Sequence, residues 1–266
     1  SRVIREGDRL GSYVFEPGAS QRGNGCVYDR KYSAVSLAPR ETYDWDAILN
    51  GVDAFYFSGV TPAVSPELAA ACADALATCR ARGITTICDL NYRGKLWTPE
   101  QAQNTMRGLL PLVDVCVAND EDAPAALGMT CVSGSLSHGI EESDSYVEMA
   151  RQICAEYDCK TVASVVRNVQ CVERSQWMGA LYDAATDAHW FSPVHDVHVL
   201  EGVGAGDAFN AGLIHALRHG FDPQHVIDYA IAASVLKLSI RGDANLVTPQ
   251  EIEKVAASSG GARVER

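Results

Sequence analysis

The chain has 266 residues, 47% of them hydrophobic and 21% charged, enough for one large α/β domain with a deep core. Its formal net charge is −12, and no run of Lys or Arg breaks the acidic background, so neither a nucleic acid nor a membrane surface is expected as a partner. A small anion stays open, because a few local cations, backbone N–H groups and a metal ion suffice to hold one. No apolar stretch approaches the ~20 residues that a membrane span needs, and no signal peptide is read. Nine cysteines, at 26, 72, 79, 88, 116, 131, 154, 159 and 171, form no Cys-x-x-Cys pair. They read as reduced, mostly buried thiols and point to the cytoplasm.

Taken in order, residues 10–16 and 26–34 read as two strands around a Gly-rich turn at 17–25, a hairpin standing apart from the rest of the chain. After Pro39 strands and helices alternate. A short apolar run at 54–59 precedes a helix at 66–82, which Ser65 can cap, Pro66 can open and Gly83 can stop. Residues 84–90 read as a buried strand, 99–110 as helix, 114–118 as strand, 141–157 as helix and 161–166 as strand. Strands at 179–183 and 189–192 come next, then helices at 207–219, 223–240 and 249–257. Helices between strands imply a parallel sheet covered on both faces. Ligands of such sheets lie beyond the carboxyl ends of the strands. Chemistry is therefore expected after Gly59, Leu90, Ala118 and Val166, and before the helix at 207.

Glu201-Gly-Val-Gly-Ala-Gly-Asp-Ala-Phe-Asn-Ala-Gly212 is the most informative stretch. Gly202, Gly204 and Gly206 make a turn that opens into an amphipathic helix, and free N–H groups at a helix start form an anion cradle. Asp207 stands at its mouth. Phosphoryl transfer needs donors aimed at the migrating charge and an acceptor for the attacking hydroxyl's proton. The bland alternative is a Gly-rich turn with Asp as an ordinary helix cap. The spelling excludes a dinucleotide fingerprint, which needs Gly at 207, and a P-loop, which Gly94-Lys95-Leu96 does not complete.

Two other groups bear on the acceptor. Tyr28 and Arg30, two apart on an expected strand, share a face, and Arg93 falls in the loop after the strand at 84–90. Arginine's planar fork suits a carboxylate, and tyrosine offers a flat surface with a hydroxyl, so an acid sugar fits better than a neutral one. An exposed strand arginine and a surface loop arginine are the bland readings. Asn119-Asp-Glu-Asp122 follows a strand and by itself reads first as a solvated helix start.

The Gly-Val-Gly-Ala-Gly-Asp-Ala-Phe-Asn-Ala-Gly segment resembles the C-terminal signature of PfkB-type carbohydrate kinases. The resemblance implies a ribokinase-like α/β fold, a mostly parallel central sheet flanked by helices with a small β lid. It implies Asp207 as catalytic base and Gly204, Ala205 and Gly206 as the anion hole, although Glu201 stands where the family often has Asp. Asn119 to Asp122 resembles the family's Asn-x-x-Glu motif, so Asp122 or Glu121 would act on Mg²⁺ through water, with Asn119, Arg167, Gly204 and Gly206 on ATP. Arg167, expected just after a strand, reads equally as a surface ion pair.

Gly11-Ser-Tyr13, Tyr28 to Ala34 and Asp89 to Trp97 look like segments of 2-keto-3-deoxygluconate kinases. This implies that Tyr13, Tyr28, Arg30 and Arg93 hold the sugar acid. It also implies a lid at 10–35, a kinase core at 1–9 and 36–266, and dimerisation through the lid. Such kinases begin with a βαβ segment carrying a Gly-Gly turn, which nothing here matches; that portion is expected to be absent and activity without it weak or nil. Two other functions stay open: a kinase of a neutral sugar of the fructose or ribose type, and an inactive nucleotide- or sugar-sensing module. His215 and His219, and likewise His195 and His198, read as solvent-facing rather than metal-binding. The four tryptophans read as packing residues, with Trp97 at the rim of the sugar site.

Overall fold

The computed structural model describes residues 2–130 and 138–258, so Cys131 lies outside the described residues. The chain divides into two compact units: Ser1–Glu16, Gly25–Val132 and Met149–Val162 in the first, Pro17–Asn24, Ser133–Glu148 and Ala163–Arg266 in the second.

The first unit opens with an antiparallel hairpin, β1 (Ser12–Glu16) and β2 (Gly25–Asp29), in which Tyr13 faces Tyr28 and Val14 faces Val27. Short helices α1 (Ala34–Leu37) and α2 (Trp45–Ile48) lead to β3 (Ala54–Ser58). Then come α3 (Val60–Val64), α4 (Pro66–Arg82), β4 (Thr85–Asp89), α5 (Pro99–Leu109), β5 (Val115–Val117) and α6 (Asp122–Leu127). β3, β4 and β5 pair in parallel, Phe57 beside Cys88 and Cys88 beside Cys116. α4 begins where the Ser65 hydroxyl accepts from Leu68 N–H and ends where Gly83 turns left-handed at φ 66°. Its face of Leu68, Ala71, Cys72, Ala75, Leu76 and Cys79 is buried, as are Ile87, Cys88 and Leu90 of the adjoining strand segment. Fully burying a leucine contributes about 1.5–3 kcal/mol.

α7 (Ser143–Tyr157) and β6 (Thr161–Cys171) contain the points where the division falls. The second unit continues with β7 (Arg174–Asp183), β8 (Ala188–Phe191), β9 (His195–His198), α8 (Ala205–Arg218), α9 (Pro223–Lys237) and α10 (Pro249–Ala256). Among the described residues the hydrogen-bonded order is β3-β4-β5-β6-β7-β8, with β9 also on β7; β8 and β9 run antiparallel to β7. Phe209, Leu213 and Ala216 of α8 pack on α9, whose Val226, Ile227, Ala230 and Ala233 are buried. Gly212 permits this approach, since a Cβ there would lie 2.9 Å from that of Ala233.

Three expectations change. The second hairpin strand ends at Asp29, because Tyr32 takes φ 60° and a turn closes from Ser33 N–H to Arg30 O; Ala34 then begins a helix. β6 runs to Cys171, five residues past the expected end, because a tight turn at 172–173 lets it continue beside β7. His215 is not simply solvent-facing: it stacks on His219 at 4.0 Å and on Tyr229 at 5.1 Å between ring centres, and burial pushes its pKa down. No group of three or more His, Cys, Asp or Glu among the described residues is placed to hold a metal. No described helix is long and apolar enough to cross a membrane. Trp97 and Trp177 are buried, and Trp45 packs edge-on against Phe55.

Candidate active site

In the first unit the hairpin's register sets which side chains stand together. Tyr13 and Tyr28 are direct partners with ring centres 6.1 Å apart, and both are partly exposed. Arg30 lies one residue past the end of β2 rather than on it. Its guanidinium still sits 4.2 Å from the centre of the Tyr28 ring, in cation–π geometry. The Tyr28 hydroxyl is pushed up first by its bond to Cys26 and then by burial, while the charges of Arg93 and Arg30 pull it down. The structure thus brings Tyr13, Tyr28, Arg30 and Arg93 into one neighbourhood. Lys95, which the sequence did not single out, donates to Cys26 O at 3.3 Å and ties the loop to β2. Its only sequence signal was a second cation two residues after Arg93.

The loop carrying Arg93 starts at the carboxyl end of β4. A Cβ on Gly59 would sit 2.1 Å from Leu90 O, so only glycine lets the end of β3 approach it. Asn91, at φ 38°, bonds Asp89 through its N–H and the Ser58 hydroxyl through its side-chain amide. The next N–H, of Tyr92, donates to Asp122 Oδ1 at 2.8 Å. Asn119 Oδ1 in turn accepts from the N–H groups of Glu121 and Asp122 at 2.9 and 2.8 Å, which sets the start of α6. Asp122 is 5% exposed and braces the loop that carries Arg93, whereas Glu121 faces solvent.

In the second unit α8 begins two residues before Asp207. Gly204 is its N-cap at φ 79°, a left-handed conformation that starts the helix early and makes Asp207 its third residue. A Cβ on Gly204 would lie 2.4 Å from Asp243 O, while one on Gly206 would meet nothing within 4 Å. The Ala205 N–H reaches back to Gly202 O at 3.4 Å, and Ala208 makes the first helical bond, to Gly204 O at 2.9 Å. The N–H groups of Gly206 and Asp207 therefore precede the helical ladder and suit an anion. Asp207 is exposed and in no ion pair among the described residues. Arg167 lies inside β6 instead of after it, its guanidinium 5.5 Å from the centre of the Trp177 ring.

Residues 3–250 match the family model described as pfkB family carbohydrate kinase. The chain belongs to this family of carbohydrate kinases. The kinase is 32% identical over 258 residues to the 2-dehydro-3-deoxygalactonokinase of Haloferax volcanii, covering 97% of this chain and 73% of that protein. It is 28% identical to the 2-dehydro-3-deoxygluconokinase of Thermoproteus tenax, over 90% of this chain and 64%, less than two thirds, of that protein. The crystal structure of 2-dehydro-3-deoxygluconokinase from Thermotoga maritima matches with a TM-score of 0.88 and 39% identity, over 95% of this chain and 74% of that one. The fold is accordingly the ribokinase-like α/β fold expected from the sequence, with its small antiparallel sheet. Membership implies ATP and a small-molecule sugar as the reactants.

Proposed function

We propose that the kinase transfers the γ-phosphoryl group of ATP to the C6 hydroxyl of 2-keto-3-deoxygluconate, giving 2-keto-3-deoxy-6-phosphogluconate. The observation that carries this reading is the cluster of Arg30, Arg93, Tyr13 and Tyr28: two guanidinium groups beside two phenols suit a carboxylate next to hydroxyls. The gluconokinase and galactonokinase names of its relatives support a sugar acid. Asp207 takes the hydroxyl proton, and the N–H groups of Gly206 and Asp207 face the migrating charge. The unobstructed space at Gly206 fits a phosphate close to the backbone. Exposed Glu121, with Asn119 and Asp122, fits a role on Mg²⁺ through water, and the ion supplies charge neutralisation for the phosphates when bound. Arg167 is a further candidate for the ATP phosphates.

The proposal extends to a homodimer through the lid, supported by Val14 and Val27, which pair on the face of the hairpin opposite Tyr13 and Tyr28 and are 70% and 72% exposed. It also extends to the cytoplasm, supported by eight free cysteines among the described residues, six of them buried.

A coupled assay over 2-keto-3-deoxygluconate, its galactonate epimer, fructose and ribose tests the reading. Turnover on the sugar acids is expected, lost by about 10²–10⁴-fold in Asp207→Asn. Arg30→Ala and Arg93→Ala are each expected to raise the sugar-acid KM roughly 10- to 100-fold, the worth of a charged hydrogen bond. Preference for fructose or ribose, indifferent to both arginines, would overturn it.

A further inference from the structure

Lys237, in the last turn of α9, is a fully buried lysine, 0% exposed. Among the described residues its Nζ has one hydrogen-bond acceptor, Ile240 O at 3.0 Å. Its Cε lies 3.4 Å from the point a Cβ on Gly204 would occupy, so the side chain runs directly behind the glycine turn. The same region is knit from both sides. Ser234 donates from its hydroxyl to Ala205 O at 2.9 Å, Leu200 and Glu201 donate their N–H groups to Leu238 O, and Gly242 N–H reaches the Glu201 carboxylate at 3.2 Å. Burial pushes the Lys237 pKa down, and the carboxylates of Glu201 and Asp243 work to keep it charged.

Stability does not account for this placement. A buried ammonium with one carbonyl partner costs several kcal/mol of desolvation, and an apolar side chain of similar length would fill the space without that cost. The carboxyl end of α9 and the carboxylates of Glu201 and Asp243 favour a cation here, whereas the start of α8, the positive end of a helix, opposes it. Two positive centres back to back are favourable once an anion sits before them.

We propose that Lys237 is a resident cation of the glycine turn, held behind Gly204 so that the turn binds an anion in front of it. On the function proposed above, that anion is the phosphoryl group in transfer. Lys237 acts through the turn without touching the reactants and is a positioning residue.

The test compares wild type, Lys237→Met and Lys237→Ala in tetramethylammonium buffer with the magnesium salt of ATP and 2-keto-3-deoxygluconate. Tripolyphosphate affinity is measured separately by calorimetry. In Lys237→Met turnover is expected to fall at least about tenfold and tripolyphosphate affinity about fivefold, with the sugar KM unchanged. Added methylammonium is expected to restore turnover in Lys237→Ala, which a purely structural lysine would not show. Turnover and anion affinity within twofold of wild type in Lys237→Met would overturn the proposal. If neither variant folds, Lys237→Arg, which keeps the charge, decides: tripolyphosphate affinity within twofold of wild type supports a resident charge, and a loss of fivefold or more refutes it. If no sugar or sugar acid is phosphorylated, the proposed function fails, and the tripolyphosphate comparison alone judges Lys237.

Discussion

Gly204 and Gly206 are two residues apart in one turn, yet substitution by alanine is expected to act in opposite ways. At Gly204 an alanine must hold φ 79°, which costs an L-residue about 1–2 kcal/mol. Its Cβ must also displace the carbonyl of Asp243 from 2.4 Å to beyond 3 Å, moving backbone rather than a side-chain tip. Together these predict a loss of about 2–4 kcal/mol, or roughly 5–10 °C in Tm for a chain of this size. At Gly206 the backbone is helical and a Cβ meets nothing, so alanine is expected to stabilise by about 0.5–1 kcal/mol. If the N–H of Gly206 faces a phosphate, that same methyl crowds the ligand, and kcat/KM for ATP falls at least about tenfold in a better-folded protein. Differential scanning fluorimetry beside steady-state kinetics reads both. A Gly206→Ala protein with full activity would refute the cradle, and a Gly204→Ala protein as stable as wild type would refute the packing of the turn on Asp243.

Two further outcomes are expected. Asp114 is pushed up by burial, but bonds from Lys160 at 2.7 Å and from the Thr86 N–H and hydroxyl outweigh this and hold its carboxyl below the usual carboxylate range. A depressed carboxylate stabilises above its unfolded pKa, near 4, and loses that contribution as pH falls through the folded value. The Tm advantage of wild type over Lys160→Met is therefore expected to hold from pH 5 to 8 and shrink below about pH 4; a constant difference would deny the coupling. In Val27→Asp, a charge replaces half of the exposed valine pair opposite Val14. A lid-mediated dimer is expected to dissociate on size exclusion with light scattering, and an unchanged mass would exclude the lid as the contact.

What could be read in advance tracked the range of the signal. The helix Pro66–Arg82 is legible to the residue because its cap, opening proline and stopping glycine are local. The Gly204–Asp207 segment is legible for the same reason, save that a left-handed Gly204 moves the helix start ahead of the aspartate. Arg30's place off the strand depends on the left-handed Tyr32, which no side-chain pattern announces. Lys237 falls inside the helix expected at 223–240, in a segment to Asp243 that resembles the stretch beside the family's nucleotide pocket; its burial follows from the chain after it folding back toward the turn. The cysteines read as reduced and buried, and burial indeed pushes Cys79 up to about 11 and Cys72 up to about 12, so these are unreactive thiols.

The bond between Tyr92 N–H and Asp122 gives this side chain of the acidic motif a structural task beside the proposed metal role, so a simple deletion there cannot assign a role. Asp122→Ala removes both the brace of the Arg93 loop and a charge. Asp122→Asn keeps an oxygen able to accept from Tyr92 and removes only the charge. If the motif acts on Mg²⁺, the asparagine variant is expected to keep its sugar KM within about threefold while the Mg²⁺ needed for half-maximal rate rises severalfold. If Asp122 only braces the loop, asparagine is silent toward Mg²⁺, alanine raises the sugar KM alone, and exposed Glu121 becomes the carboxylate to substitute for the metal role.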